Sequence, residues 1–157
     1  MKLGMFAAAV IALAPMAHAQ DLCVELKDVI AEATSGFDAL KDEENFEDNY
    51  EPYFYLGDAY NCSIDTSDAP EFGCWWQFDA PAQANAKLDE MAAVVTPCLA
   101  GWTRMDIAGE RSAKAIKIAR GFRFDGTGAN GTVFVELFTE PPKERGSPSV
   151  SLNVSVE

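Results

Sequence analysis

Four cysteines, Cys23, Cys62, Cys74 and Cys98, constrain this chain of 157 residues more than any other feature. Their separations of 39, 12 and 24 positions lack the closely spaced C-x2-C pairs of a four-thiolate zinc site. They also lack the C-x-x-C of a dithiol redox motif. What such a set specifies depends on the compartment, and the start of the chain bears on that. MKLGMFAAAVIALAPMAHAQ carries one positive charge at Lys2, an apolar run from Leu3 to Ala14, a break at Pro15 and then Ala17-His18-Ala19. This is the layout of a signal peptide cleaved after Ala19, with an apolar run too short to span a bilayer. Gln20, Asp21 and Leu22, which precede Cys23, do not form the small-residue box of a lipoprotein. The expectation is removal of residues 1–19, leaving a periplasmic or secreted single domain over 20–157, 138 residues long (157 − 19). In an oxidising compartment four cysteines read as two disulfides.

Cleavage also removes the only histidine, His18. A mature chain without imidazole has no Ser-His or Cys-His machinery and no His-ligated metal, and neither cofactor nor metal is expected. G-x-S-x-G, S-x-x-K and phosphate-cradling glycine loops are absent as well. DEENFEDNYE lacks the sixth-position glycine and regular acidic alternation of an EF-hand, and DGTGANG has too few carboxylates for calcium. The one catalytic route left is a carboxylate pair, so a small hydrolase of that kind is the alternative to a binding protein.

Net charge is −13, and −14 once Lys2 is lost (−13 − 1). Such a chain repels nucleic acid and anionic membranes and attracts a basic protein or a cationic ligand. No segment after the leader is apolar enough for membrane insertion, and nothing in the sequence specifies an oligomeric state.

Periodicity organises the rest. Leu22, Leu26, Val29, Ile30, Ala33 and Phe37 form one face of a helix that Asp21 caps and Gly36 ends. Residues 41–51 read as a long acidic loop passing into an edge strand, since Pro52 cannot donate to a ladder. Tyr60, Cys62 and Ile64 alternate with polar residues, as do Cys74, Trp76 and Phe78, so a hairpin places Cys62 opposite Cys74 and Tyr60 opposite Trp76. That register favours the pairs Cys62–Cys74 and Cys23–Cys98, with the two other pairings left open. A second helix is expected from Asp79 as cap to Pro97, with Ala84, Leu88, Met91, Ala92 and Val95 inward and Cys98 just past its end.

Three strands close the chain. Ile116, Ile118, Phe122 and Phe124 share a face, and TVFVELFT (132–139) is apolar on both faces, as a central strand is. In SVSLNVSV, Val150, Leu152, Val154 and Val156 point in while Ser151, Asn153 and Ser155 point out. The fold class is therefore α+β, two-layer, with two helices on one face of a mostly antiparallel sheet in the order α-β-β-α-β-β-β and two disulfides.

The binding candidates are Asp42, Glu43, Glu44, Glu47 and Asp48, with Tyr50, Tyr53 and Tyr55 interleaved or following, where charge and cation-π contact could hold a cationic partner. Trp75, on the face opposite Cys74, joins them as an aromatic anchor; it and Trp102 are either packed beneath a helix or exposed for binding. Arg104, Arg111, Lys114, Lys117, Arg120 and Arg123 form a basic strip, expected to pair with the chain's own carboxylates. The chain thus reads as a small exported binding protein of inhibitor, immunity or envelope-accessory type.

Overall fold

The computed structural model describes residues 16–111, 116–128, 131–140 and 146–156. Residues 1–15, most of the expected leader, lie outside them, as does Lys114. The first helix, α1 (Met16–Glu32), is followed by 3-10 turns at Ala33–Ser35 and Asp38–Leu40. Strands β1 (Lys41–Phe46), β2 (Asn49–Pro52), β3 (Asn61–Asp65) and β4 (Glu71–Gln77) precede helix α2 (Pro81–Cys98). Strands β5 (Thr103–Arg111), β6 (Ile116–Thr127), β7 (Thr132–Thr139) and β8 (Ser149–Val156) complete the chain.

The strands form one eight-stranded antiparallel sheet in the order β1-β2-β3-β4-β8-β7-β6-β5. Strand β8 is inserted between β4 and β7, so the last segment of the chain joins the β1–β4 meander to the β5–β7 meander. Leu152 sits across from Cys74 on one side and Leu137 on the other, all three buried. The α+β class and the general order of elements are as expected, but three differences matter. The acidic stretch is a hairpin, β1–β2, and not a loop leading into a strand. Strand β5 was not foreseen: an edge strand with charged Arg104 and Asp106 carries a weak hydrophobic signal, and its ladder shifts at Gly109, which has φ 105°. Helix α1 starts at Met16, so Asp21 is an exposed residue within the helix and does not cap it.

The helix ends follow local chemistry. α1 ends at Glu32, earlier than the expected Gly36; Gly36, with φ 71°, instead closes the 3-10 turn that follows, its N–H donating to Ala33 O at 3.1 Å. The cap of α2 is Ala80, not Asp79, because Gln83 Oε1 folds back to accept the N–H groups of Ala80 (3.1 Å) and Asp79 (3.2 Å). Pro97 lies inside the last turn, and Cys98 is the final helical residue instead of the one after it.

Leu26 and Val29 from α1, Phe37 from the turn between the two 3-10 segments, Leu88, Met91 and Val95 from α2, and Phe72, Trp76, Val150 and Val154 from the sheet belong to one buried cluster. Burying each side chain of that size contributes roughly 1.5–3 kcal/mol before entropy is counted. Cys62–Cys74 bridges directly opposed residues of β3 and β4, with Cα atoms 4.1 Å apart. Cys23–Cys98 ties α1 to the end of α2. Tyr60 departs from the expected register: it precedes β3 and is 66% exposed instead of lining the inner face.

Strand β7 is buried on both sides, as a central strand must be. Its residues Phe134, Glu136 and Phe138 are buried outside the main cluster, and Asn153 of β8, expected to point outward into solvent, is buried with them.

Candidate functional site

The acidic hairpin is built by its turn. Phe46 pairs with Asn49, leaving Glu47 and Asp48 as the two linking residues. Asp48 adopts φ 61°, a left-handed conformation that aspartate tolerates better than most side chains. Its carbonyl accepts the Thr66 N–H at 2.8 Å and the Thr66 hydroxyl at 3.2 Å, fixing the turn against the segment after β3. At the other end Pro52 pairs with Lys41 and is buried, and Tyr53 N–H donates to Leu40 O at 3.1 Å, resuming the bonding that proline cannot supply.

Strand β1 is a terminal strand of the sheet, and two register shifts interrupt its pairing with β2. Asp42, Glu43, Glu44, Glu47 and Asp48 are all exposed. None of their carboxylates makes an ion pair or hydrogen bond among the described residues. By contrast, Lys41, Lys87, Arg120 and Arg123 each pair with other carboxylates among the described residues. Lys41 Nζ meets Asp38 at 2.6 Å, Lys87 meets Asp58 at 3.1 Å and Glu90 at 3.2 Å, Arg120 pairs with Asp89, and Arg123 meets Asp125 at 2.7 Å.

The aromatic candidates divide. Tyr50, opposite Ile64, packs half-buried against the core with Lys41 Nζ 4.8 Å above its ring. Tyr53 is 60% exposed and its ring lies 5.2 Å from that of Phe54. Tyr55 is half-buried and donates its hydroxyl to Glu51 Oε1 at 2.6 Å. That hydrogen bond, then burial and the Glu51 charge, raises its pKa above the ordinary phenol value. Trp75 is half-buried on β4, three strands from β1 in the sheet order, roughly 14 Å away at normal strand spacing. The structure therefore assembles the five carboxylates, places Tyr53 and Tyr55 in the following loop, turns Tyr50 toward the core and separates Trp75 from them all. Trp102 is half-buried and packs on the core, with its indole lying over Gly126.

Two polar clusters are not evident from sequence pattern. Asp58, in the loop between β2 and β3, accepts the Trp76 indole N–H at 2.9 Å and Lys87 Nζ at 3.1 Å, while Gly57 N–H reaches Glu25 at 2.7 Å. The loop is thereby latched to β4, α2 and α1. Desolvation alone would raise the Asp58 pKa, but the hydrogen bonds from Lys87 and Trp76 and the Lys87 charge outweigh it and hold the carboxyl below its ordinary value. The second cluster crosses the sheet face opposite the core side chains. Arg123 lies 3.8 Å over the Phe134 ring and 3.7 Å from Glu136, and Asn153 donates to Glu71 at 3.3 Å. A lone glutamate inside TVFVELFT was the available signal for it. Both clusters are held by contacts within the chain.

Among the described residues no group of three or more His, Cys, Asp or Glu side chains is placed to hold a metal ion, and no helix is long and apolar enough to cross a membrane. No family model, no curated protein and no solved structure matches this chain.

Proposed function

We propose that this chain is an exported binding protein whose acidic hairpin engages a basic protein or a cationic ligand. The observation that carries the reading is the contrast in pairing. Asp42, Glu43, Glu44, Glu47 and Asp48 stand exposed along one strand and its turn with no cation among the described residues to neutralise them, whereas Lys41, Lys87, Arg120 and Arg123 pair with other carboxylates. Unneutralised carboxylates on one edge concentrate the negative potential and speed encounter with a positive partner. Tyr53, exposed beside the hairpin, adds an aromatic face for a cation, while Tyr50 and Tyr55 support the loop. Export is supported by the leader pattern and by the two disulfides. We also place both helices on one face of the sheet, as two layers; support comes from the single buried cluster that unites α1, α2 and alternate strand residues.

The test uses residues 20–157 immobilised and exposed to envelope extract of the source cell, with bound protein eluted by rising salt. One stoichiometric partner is expected. Changing all five carboxylates to their amides should slow its association at least about tenfold at low salt and flatten the salt dependence. An unchanged association rate would remove the hairpin from the interface.

A further inference from the structure

The two ends of the sheet differ chemically: β1 is acidic, whereas β5 carries charges of both signs. Strand β5 is the other terminal strand, and its five residues Thr103 to Ile107 pair with β6 in unbroken register. Thr103, Arg104, Met105 and Asp106 are exposed and Ile107 is half-buried, with Met105 at 41%. No bulge, proline or cluster of like charge guards this stretch; the ladder shifts only beyond Ile107. Unpaired edge backbone of this kind templates another strand.

The side-chain pattern specifies which strand. Arg104 and Asp106 lie on the core side of β5, where Arg104 sits 4.2 Å over the Phe122 ring and donates to Thr96 Oγ1 at 3.1 Å, and Thr103, Met105 and Ile107 lie on the opposite side. Place a second copy antiparallel with the twofold axis at Met105. Each Arg104 then faces the Asp106 of the other copy, Met105 faces Met105, and Thr103 faces Ile107. Directly opposed opposite charges and apolar pairs are the stabilising unit of an antiparallel ladder. The same operation on β1 would set Asp42 against Glu44 across the axis and is closed by like charge and by its register shifts. We infer that β5 is a self-complementary edge through which two copies of this chain pair, Arg104 to Asp106, into one continuous sheet. Five residues per copy make a small contact, so the dimer is weak and depends on concentration.

A charge-swap cycle tests it by sedimentation equilibrium over a concentration series, with thermal unfolding as the check on each variant's fold. The wild-type chain should pass from monomer to dimer as concentration rises. Asp106→Arg sets two cations opposite each other in both symmetric pairs and should weaken dimerisation about tenfold or more. Arg104→Asp should do the same with two anions, and the double swap should restore the dimer. Met105→Lys, which places two ammonium groups at the axis without touching either charge pair, should also give monomer. A wild-type chain that stays monomeric throughout, or a dimer indifferent to Asp106→Arg and Met105→Lys, overturns the inference. So does a well-folded double swap that does not recover dimerisation.

Discussion

Gly121 and Gly73 sit in comparable places, both mid-strand and both facing across a neighbouring strand, yet adding one methyl to each should give different results. Gly121 of β6 lies opposite Phe138 of β7. A Cβ built there would stand 2.5 Å from Phe138 Cβ, 2.7 Å from Leu137 O and 2.9 Å from Phe138 Cα, where opposed Cβ atoms ordinarily lie about 4.5–5.5 Å apart. Two of the three obstacles belong to the backbone of a central strand buried on both sides, so no rotamer change relieves them. Overpacking costs about 1–3 kcal/mol, and this site belongs at the upper end. The smaller conformational freedom of alanine in the unfolded chain returns about 0.4–1 kcal/mol. The net loss for Gly121→Ala is therefore about 2 kcal/mol. With an unfolding entropy of about 2.1 cal/mol/K per residue over about 140 residues, that lowers the melting temperature by about 7 °C. For Gly73→Ala the nearest atom is the Oδ1 tip of Asn153 at 3.1 Å, a side-chain end that can move by tenths of an ångström. Its cost should stay below about 0.5 kcal/mol. Urea unfolding of both variants measures the difference as a shift in midpoint at constant slope. Equal costs at the two sites, or a Gly121→Ala variant as stable as wild type, would refute the claim that backbone proximity excludes a side chain at Gly121.

The disulfides provide a second comparison. Cys23–Cys98 spans 75 positions and Cys62–Cys74 spans 12. On loop-closure entropy, replacing the first pair by alanine should cost about 4.5 kcal/mol and the second about 3 kcal/mol, read from urea midpoints; the reverse order would show that the bridges do not act mainly through unfolded-state entropy. For Asp58, a folded pKa below the ordinary 3.8 means its latch adds stability above that value and loses it as pH falls through the lower folded value. Asp58→Asn should flatten the acid limb of the stability curve, followed by tryptophan fluorescence, and an identical acid limb would show that the latch does not titrate with folding. The amide changes in the acidic hairpin should leave the melting temperature within about 2 °C of wild type, because exposed unpaired carboxylates contribute little to folding; a larger fall would mean that they support the hairpin.

Local pattern made much of this fold readable. The 3.6-residue stripes of Leu22 to Val29 and Ala84 to Val95 are the buried helical faces found, because a helix that packs on one side needs apolar residues at that spacing. Phe37, expected on the first stripe, is buried but lies beyond the helix end at Glu32, with φ 62°. The alternation around Cys62 and Cys74 placed them opposite each other and so favoured the Cys23–Cys98 pair, but the choice among the three pairings came from the structure. Edge strands were harder to read. β1 and β5 bury little, so their sequences carry charge where a central strand carries valine, and alternation gives no warning of them. Within the candidate site the sequence supplied the five carboxylates but not their arrangement, and it grouped Trp75 with residues from which the strand order separates it.

By itself, then, the sequence determined the two helical faces, the stapled hairpin, the acidity and the absence of histidine beyond His18. Only the tertiary structure decided that β8 enters between β4 and β7, which makes β1 and β5 the two edges and sets the acidic hairpin at one of them. Residue spacing encodes what each segment hides from water, through contacts a few positions apart. Strand order is chosen by pairings between residues such as Cys74 and Leu152, far apart in the chain, whose preference no local pattern records.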